Sequence, residues 1–233
     1  MKISIKEIRD KFVYSESDTW YARIVCRKFS PYFTWFFVRT SILPNQVTLL
    51  MILWGIVGGI FLAFPGYANG LLGVIFLQLF LIFDCVDGEV ARVKKIFSYK
   101  GKFLDLIAND TTLVSIFIGL AFRELSLSQN FTFVAMVFIA VILLLLSRSF
   151  SLYANGTNEK LSGRHINSII LNTSLKLTAY QIVKNLILPP TIILILTLAA
   201  ALNVLSCFLV FYGIFFIFYF FVSLVSRFII INN

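Results

Sequence analysis

Six apolar runs, most of them joined by short polar links, constrain this chain more than any other feature. They cover residues 46–64, 71–90, 103–122, 131–146, 186–202 and 206–228. A helix of about 20 apolar residues spans the hydrocarbon core of a bilayer. Within lipid, helices and closed barrels are the structures that satisfy their own backbone hydrogen bonds. Only 13% of the residues are charged, against about 25% in soluble domains, and the mean hydropathy is +0.92. The expected fold is therefore an all-α integral membrane protein. It has six transmembrane helices over residues 46–233, preceded by a cytoplasmic, interfacial segment over residues 1–45.

In that first segment, "WYARIVCRKFSPYFTWFFVRT" interleaves Arg and Lys with Trp, Tyr and Phe. The pattern suits an amphipathic helix in the headgroup region, aromatic side down and basic side toward water; the plainer alternative is a juxtamembrane linker. The first twenty residues are too polar for a signal peptide, with no apolar stretch after the basic residues. If six helices alternate, nineteen of the twenty basic residues fall on one side and only Arg123 on the other. The positive-inside bias then places both termini at the cytoplasmic face of an inner or cytoplasmic membrane. The net charge of +9 reads as attraction to anionic lipid headgroups, not to nucleic acid. Cys26, Cys85 and Cys207 have neither metal-ligand nor disulfide spacing and read as apolar filler.

Against this background, "FDCVDGEVARVKKIFSYKGKFLDLIAND" stands out. Asp84, Asp87, Glu89, Asp105 and Asp110 are five of the eleven acidic residues in the chain. A charge within a span costs about 2.5–3.5 kcal/mol on insertion scales, so such residues usually mark function. Asp84 and Asp87 share one helix face, and Asp105 and Asn109 share a face of the next helix. The basic loop "VKKIFSYK" folds the two helices into an antiparallel hairpin on which those faces can meet. Converging carboxylates repel one another and call for a cation, and oxygen donors select Mg²⁺ or Mn²⁺. Gly88 and Gly101 leave room for a phosphate or a neighbouring backbone, and Arg92 with the nearby lysines supplies positive charge. Metal-assisted phosphoryl chemistry at the membrane surface is one reading. An interhelical salt-bridge network or a water-filled cation path are the others, although the outer halves of the spans carry no ionisable residues to continue such a path.

The same residues resemble the signature of the CDP-alcohol phosphatidyltransferase family, D-x2-D-G-x2-A-R followed after about eight residues by G-x3-D-x3-D. It is carried here by Asp84, Asp87, Gly88, Ala91, Arg92, Gly101 and Asp105, seven of the eight specified positions. "LPNQVTLL", opening the first apolar run, is similar to the start of the first helix in that family. The resemblance implies a membrane phosphotransferase of phospholipid biosynthesis. In its reaction an acceptor hydroxyl attacks the β-phosphorus of a CDP-linked alcohol, such as CDP-diacylglycerol, and CMP leaves. It further implies a divalent metal on Asp84, Asp87, Asp105 and the position of Asn109, and a CDP site lined by Gly88, Ala91 and Arg92 with Gly101 closing it. Asn45 and Thr48 lie near the nucleotide in such a site, and a homodimer is implied.

The departure is Asn109, where the family pattern has its fourth aspartate and expects a general base. An amide can offer oxygen to a metal but cannot take up a proton near neutral pH. Asp110 is adjacent but lies about 100° around the helix, so its use would require a local π-bulge. Three readings stay open: another base or a metal-activated acceptor; a weak or inactive binder of CDP-alcohols; or a replacement that traps a complex. Other residues have plainer readings. Asn45 is expected to cap the first span after Pro44. Glu89 is expected to pair with Arg92. Arg148 and Arg227 read as membrane anchors or phosphate contacts, and Arg164 and His165 as residues of a solvated connection.

Overall fold

The structure, a computed structural model, describes residues 3–13, 21–161 and 186–231. Its elements, in chain order, are α1 (Ile5–Phe12), a π-helical turn (Ala22–Cys26), α2 (Arg27–Val38), α3 (Pro44–Ala63), α4 (Tyr67–Lys94), α5 (Tyr99–Ser128), α6 (Phe131–Leu161), α7 (Pro189–Ala201) and α8 (Leu205–Ile231). Arg164 and His165 lie outside the described residues.

Four helices are long and apolar enough to cross a membrane: α3, α4, α5 and the Leu205–Leu224 part of α8. The expected fourth and fifth spans correspond to two shorter apolar helices, Phe133–Ser149 within α6, and α7. The 13 residues of α7 rise only about 20 Å, short of the ~30 Å hydrocarbon core. By this measure the described residues carry four spans, against the six expected. At 28 residues, α4 extends about 42 Å, and α5 is longer still at 30 residues. Both outreach the core, so the acidic end of their hairpin lies toward its edge.

Small residues draw the central helices together. A Cβ on Gly119 of α5 would lie 2.1 Å from the Gly59 carbonyl oxygen of α3, and one on Gly73 of α4 would lie 3.0 Å from the Gly58 carbonyl oxygen. Such backbone contact is how apolar helices associate where burial of apolar surface offers no advantage over lipid. Arg123, the one basic residue left at the opposite end, is buried there. Its Nη1 donates to the carbonyls of Phe64, at 2.7 Å, and Gly66, at 3.2 Å. These carbonyls lie in the turn after α3, where helical partners have run out.

The N-terminal segment is built differently from the expectation. An α-helix does form over Arg27–Val38, and Arg23, Lys28 and Arg39 are exposed. Phe29, Tyr32 and Phe36 are also exposed, which suits contact with lipid. Arg27, however, is buried. With Ser30 and Thr34 it forms a polar stripe at helical spacing that faces α4. Glu89, fully buried on α4, accepts from Arg27 Nη1 at 2.7 Å and Ser30 Oγ at 2.6 Å, and from the Thr34 hydroxyl. The expected pairing of Glu89 with Arg92 is thus replaced by a longer-range one. Packing of α2 on α4 supplies a guanidinium and two hydroxyls, while Arg92 Nε donates to the Phe12 carbonyl oxygen at 2.8 Å.

Candidate active site

Three helix ends meet at the acidic hairpin. Lys95, in a left-handed conformation (φ 56°), caps α4. Ser98 then opens α5, its hydroxyl accepting from the Gly101 amide at 3.0 Å. Alongside them α3 begins two residues earlier than expected. Pro44 occupies its first position with Leu43 as the cap residue, and Gln46 Oε1 accepts from the Leu43 amide at 2.8 Å. Proline is pre-set for that first position, which displaces Asn45 from the capping role expected of it and leaves its side chain to the space between the helices.

That space is a cleft of about 210 Å³. Asn45, Thr48, Asp87, Gly88, Ala91, Arg92, Gly101 and Asp105 all line it, together with Pro44, Ile96, Phe97, Ser98 and Lys102. Asp84, one helical turn before Asp87 on α4, does not line the cleft. The Thr48 hydroxyl donates to Asp87 Oδ2 at 2.8 Å. Its 3.2 Å approach to the Pro44 carbonyl is the weaker of two claims on one proton. Asn109 Nδ2 donates to Asp105 at both the backbone oxygen (2.9 Å) and Oδ1 (3.1 Å). The amide therefore orients the Asp105 carboxylate. Asp110 turns elsewhere, ion-paired at 2.9 Å with Arg148 of α6, and α5 runs through this region as an uninterrupted α-helix. No π-bulge brings Asp110 toward the cleft.

The two glycines differ in what they permit. A Cβ on Gly101 would lie 3.1 Å from Asn45 Oδ1 and 3.3 Å from Ser98 Oγ, so the bare backbone lets the starts of α3 and α5 approach. At Gly88 a Cβ would meet only the Arg92 guanidinium, with Nη1 at 3.4 Å, an ordinary contact. Nothing in the protein's own packing forbids a methyl group there. The absent side chain leaves the floor of the cleft open beneath Arg92.

Among the described residues, no three acidic, histidine or cysteine side chains are gathered tightly enough to hold a metal ion. Asp87, on α4, is held by the Thr48 hydroxyl, and Asp105, on α5, by the Asn109 amide. Two features escaped the sequence reading. One is the polar face that α2 turns to Glu89, whose i, i+3, i+7 spacing of Arg27, Ser30 and Thr34 was the available signal. The other is the proximity of the Cys26 and Cys85 thiols, both buried and outside any disulfide; nothing in their spacing foretells it.

The family profile of the CDP-alcohol phosphatidyltransferases matches residues 41–212, well over half of the chain. The chain belongs to the CDP-alcohol phosphatidyltransferase family. The match takes in α3, α4 and α5 and every residue named as lining the cleft, and begins after α1 and α2. No curated protein matches the chain. Membership makes it a membrane-embedded transferase by family, consistent with its apolar helices.

Proposed function

We propose that this protein transfers a substituted phosphate from a CDP-linked lipid alcohol, such as CDP-diacylglycerol, to a hydroxyl acceptor, releasing CMP at the cytoplasmic face of its membrane. The observation that carries the proposal is the single cleft on which Asp87, Gly88, Ala91, Arg92, Gly101 and Asp105 converge.

In this reading the diphosphate lies over Gly88, where no side chain obstructs it, with the Arg92 guanidinium and Lys102 drawing its charge. Asn45 and Thr48 flank the nucleotide from the start of α3. The acceptor oxygen forms a bond to the β-phosphorus as the bond from that phosphorus to the bridging oxygen breaks, and CMP departs with the electron pair. Asp105 takes the acceptor's proton, because Asn109 has no useful basicity and Asp110 is engaged by Arg148. Asn109 keeps the Asp105 carboxylate aimed.

The donor chemistry of Asp84, Asp87 and Asp105 fits Mg²⁺ or Mn²⁺, both hard ions that favour oxygen. Those three side chains would hold the ion, with the Thr48 hydroxyl donating to Asp87. When bound, it neutralises charge developing on the diphosphate. Family precedent favours a homodimer.

The test is CMP release by purified protein in lipid nanodiscs, given CDP-diacylglycerol and a panel of hydroxyl acceptors. The expected result is release that needs Mg²⁺ or Mn²⁺ and disappears in Asp84→Ala and Asp105→Ala. CDP binding without CMP release for any pair would remove the transferase reading and leave a CDP-alcohol binder.

A further inference from the structure

The most informative contact outside the family-matched region is made by α1. This helix has only eight residues, and isolated helices of that length are not stable in water. It persists by docking. Ile5, Ile8 and Phe12 recur at helical spacing, and Ile8 is fully buried, with Ile3 and Val13 buried at either end. Ser4 caps its start, accepting from the Glu7 amide at 3.1 Å. Its C-terminal end then points a carbonyl with no partner inside the helix at the signature arginine: Arg92 Nε donates to the Phe12 oxygen at 2.8 Å. The negative end of the α1 dipole adds to that attraction.

The same end of α4 is fastened at two more points. Glu89 holds α2 through Arg27, Ser30 and Thr34. Lys94 Nζ donates to the carbonyls of Thr40 (2.9 Å) and Ile42 (2.6 Å), in the link between α2 and α3. The N-terminal segment thus grips the last turns of α4 at residues 89, 92 and 94. Of the three, Arg92 lines the cleft, and its Nη1 lies above Gly88. One edge of its planar guanidinium meets Phe12 while another faces the cleft floor, an arrangement the rigid fork of arginine permits and a lysine point charge does not.

We infer that α1 is a positioning element of the nucleotide site: through the Phe12 carbonyl it fixes the Arg92 guanidinium over Gly88, so CDP affinity depends on a segment outside the family-matched residues. This rests on the proposed CDP site, and binding itself separates the two ideas.

The experiment measures CDP affinity calorimetrically, with Mg²⁺, for full-length protein in nanodiscs. Four proteins form a cycle: wild type, Ile8→Asp to undock α1, Arg92→Lys, and the double variant. The expected result is a tenfold or greater loss for Ile8→Asp in the wild-type background and a much smaller further loss in the Arg92→Lys background. Equal losses in both backgrounds, or no loss for Ile8→Asp, overturn the inference. If Ile8→Asp does not fold, as judged by size-exclusion and thermal melting, Ile8→Ala replaces it, with a smaller loss expected and the same non-additivity required. If the wild type fails to bind CDP, the reading of the cleft itself falls, a result distinct from either of those.

Discussion

Replacing Arg27 by Met perturbs the buried contact between α2 and α4 without touching the cleft. Glu89 is 0% exposed and Arg27 7%, so neither charge is appreciably relieved by water. Removing one partner of such a pair leaves the other charge uncompensated, at about 3–5 kcal/mol. The Ser30 and Thr34 hydroxyls still donate to Glu89 after the change. Each hydrogen bond to a charged group contributes about 1.5–3 kcal/mol, which moderates the loss and places it at the lower end of the range, near 3 kcal/mol. The double variant Arg27→Met with Glu89→Leu removes both charges. It leaves only two small hydroxyls without an acceptor, and each can turn back to its own helix carbonyls. It should recover most of the stability lost by the single variant, since replacing a buried pair by apolar groups is often neutral. The assay is unfolding of the purified protein in detergent, followed by thermal melting and by a stability measurement at constant temperature. An Arg27→Met protein within about 0.5 kcal/mol of wild type, the range of an ordinary surface substitution, would refute the reasoning. So would a double variant less stable than the single.

Three further outcomes follow from the geometry. Gly88→Ala should keep or slightly raise the melting temperature, because alanine favours a helix by about 0.8–1 kcal/mol over glycine and its Cβ meets only Arg92 at 3.4 Å. Its affinity for CDP with Mg²⁺ should nonetheless fall, which calorimetry checks. Asn109→Asp would set a second carboxylate where the amide now donates to Asp105. Its melting temperature in EDTA should drop below that of wild type and recover on adding Mg²⁺, by more than wild type shifts. Gly119→Ala would press a methyl to 2.1 Å from the Gly59 carbonyl. Forcing α3 and α5 apart should destabilise the protein by about 1–3 kcal/mol, read as a lower melting temperature with CDP binding reduced in step.

Much of the hairpin was legible because its information is local. Asp84 and Asp87 at i, i+3, a short basic loop, and Asp105 with Asn109 at i, i+4 describe two faces that a tight turn brings together. The cleft gathers Asp87 and Asp105 as those spacings predict. The long apolar runs were equally readable, since lipid imposes a minimum length on a helix. What could not be read depends on which distant residue arrives at a given face. Glu89 was assigned to Arg92, its neighbour along the helix, yet the partner is Arg27, brought by packing of a helix 62 residues away in sequence. Asp110 could replace the missing aspartate only through a π-bulge, and its actual partner, Arg148, comes from α6. The start of α3 was misplaced for a local reason: proline at the first helical position outcompetes asparagine as a boundary marker, and that moved Asn45 from a cap into the cleft.

Manganese binding followed by electron paramagnetic resonance tests the central claim most directly, because it reports the ion at the acidic hairpin without requiring the right alcohol pair. In the presence of CDP, wild-type protein should take up Mn²⁺, and Asp84→Asn, Asp87→Asn and Asp105→Asn should each weaken that uptake at least tenfold while the protein remains folded. Mn²⁺ uptake unchanged in all three variants, or absent from a folded wild type that binds CDP, would contradict the assignment of these aspartates to a metal-assisted phosphotransferase site.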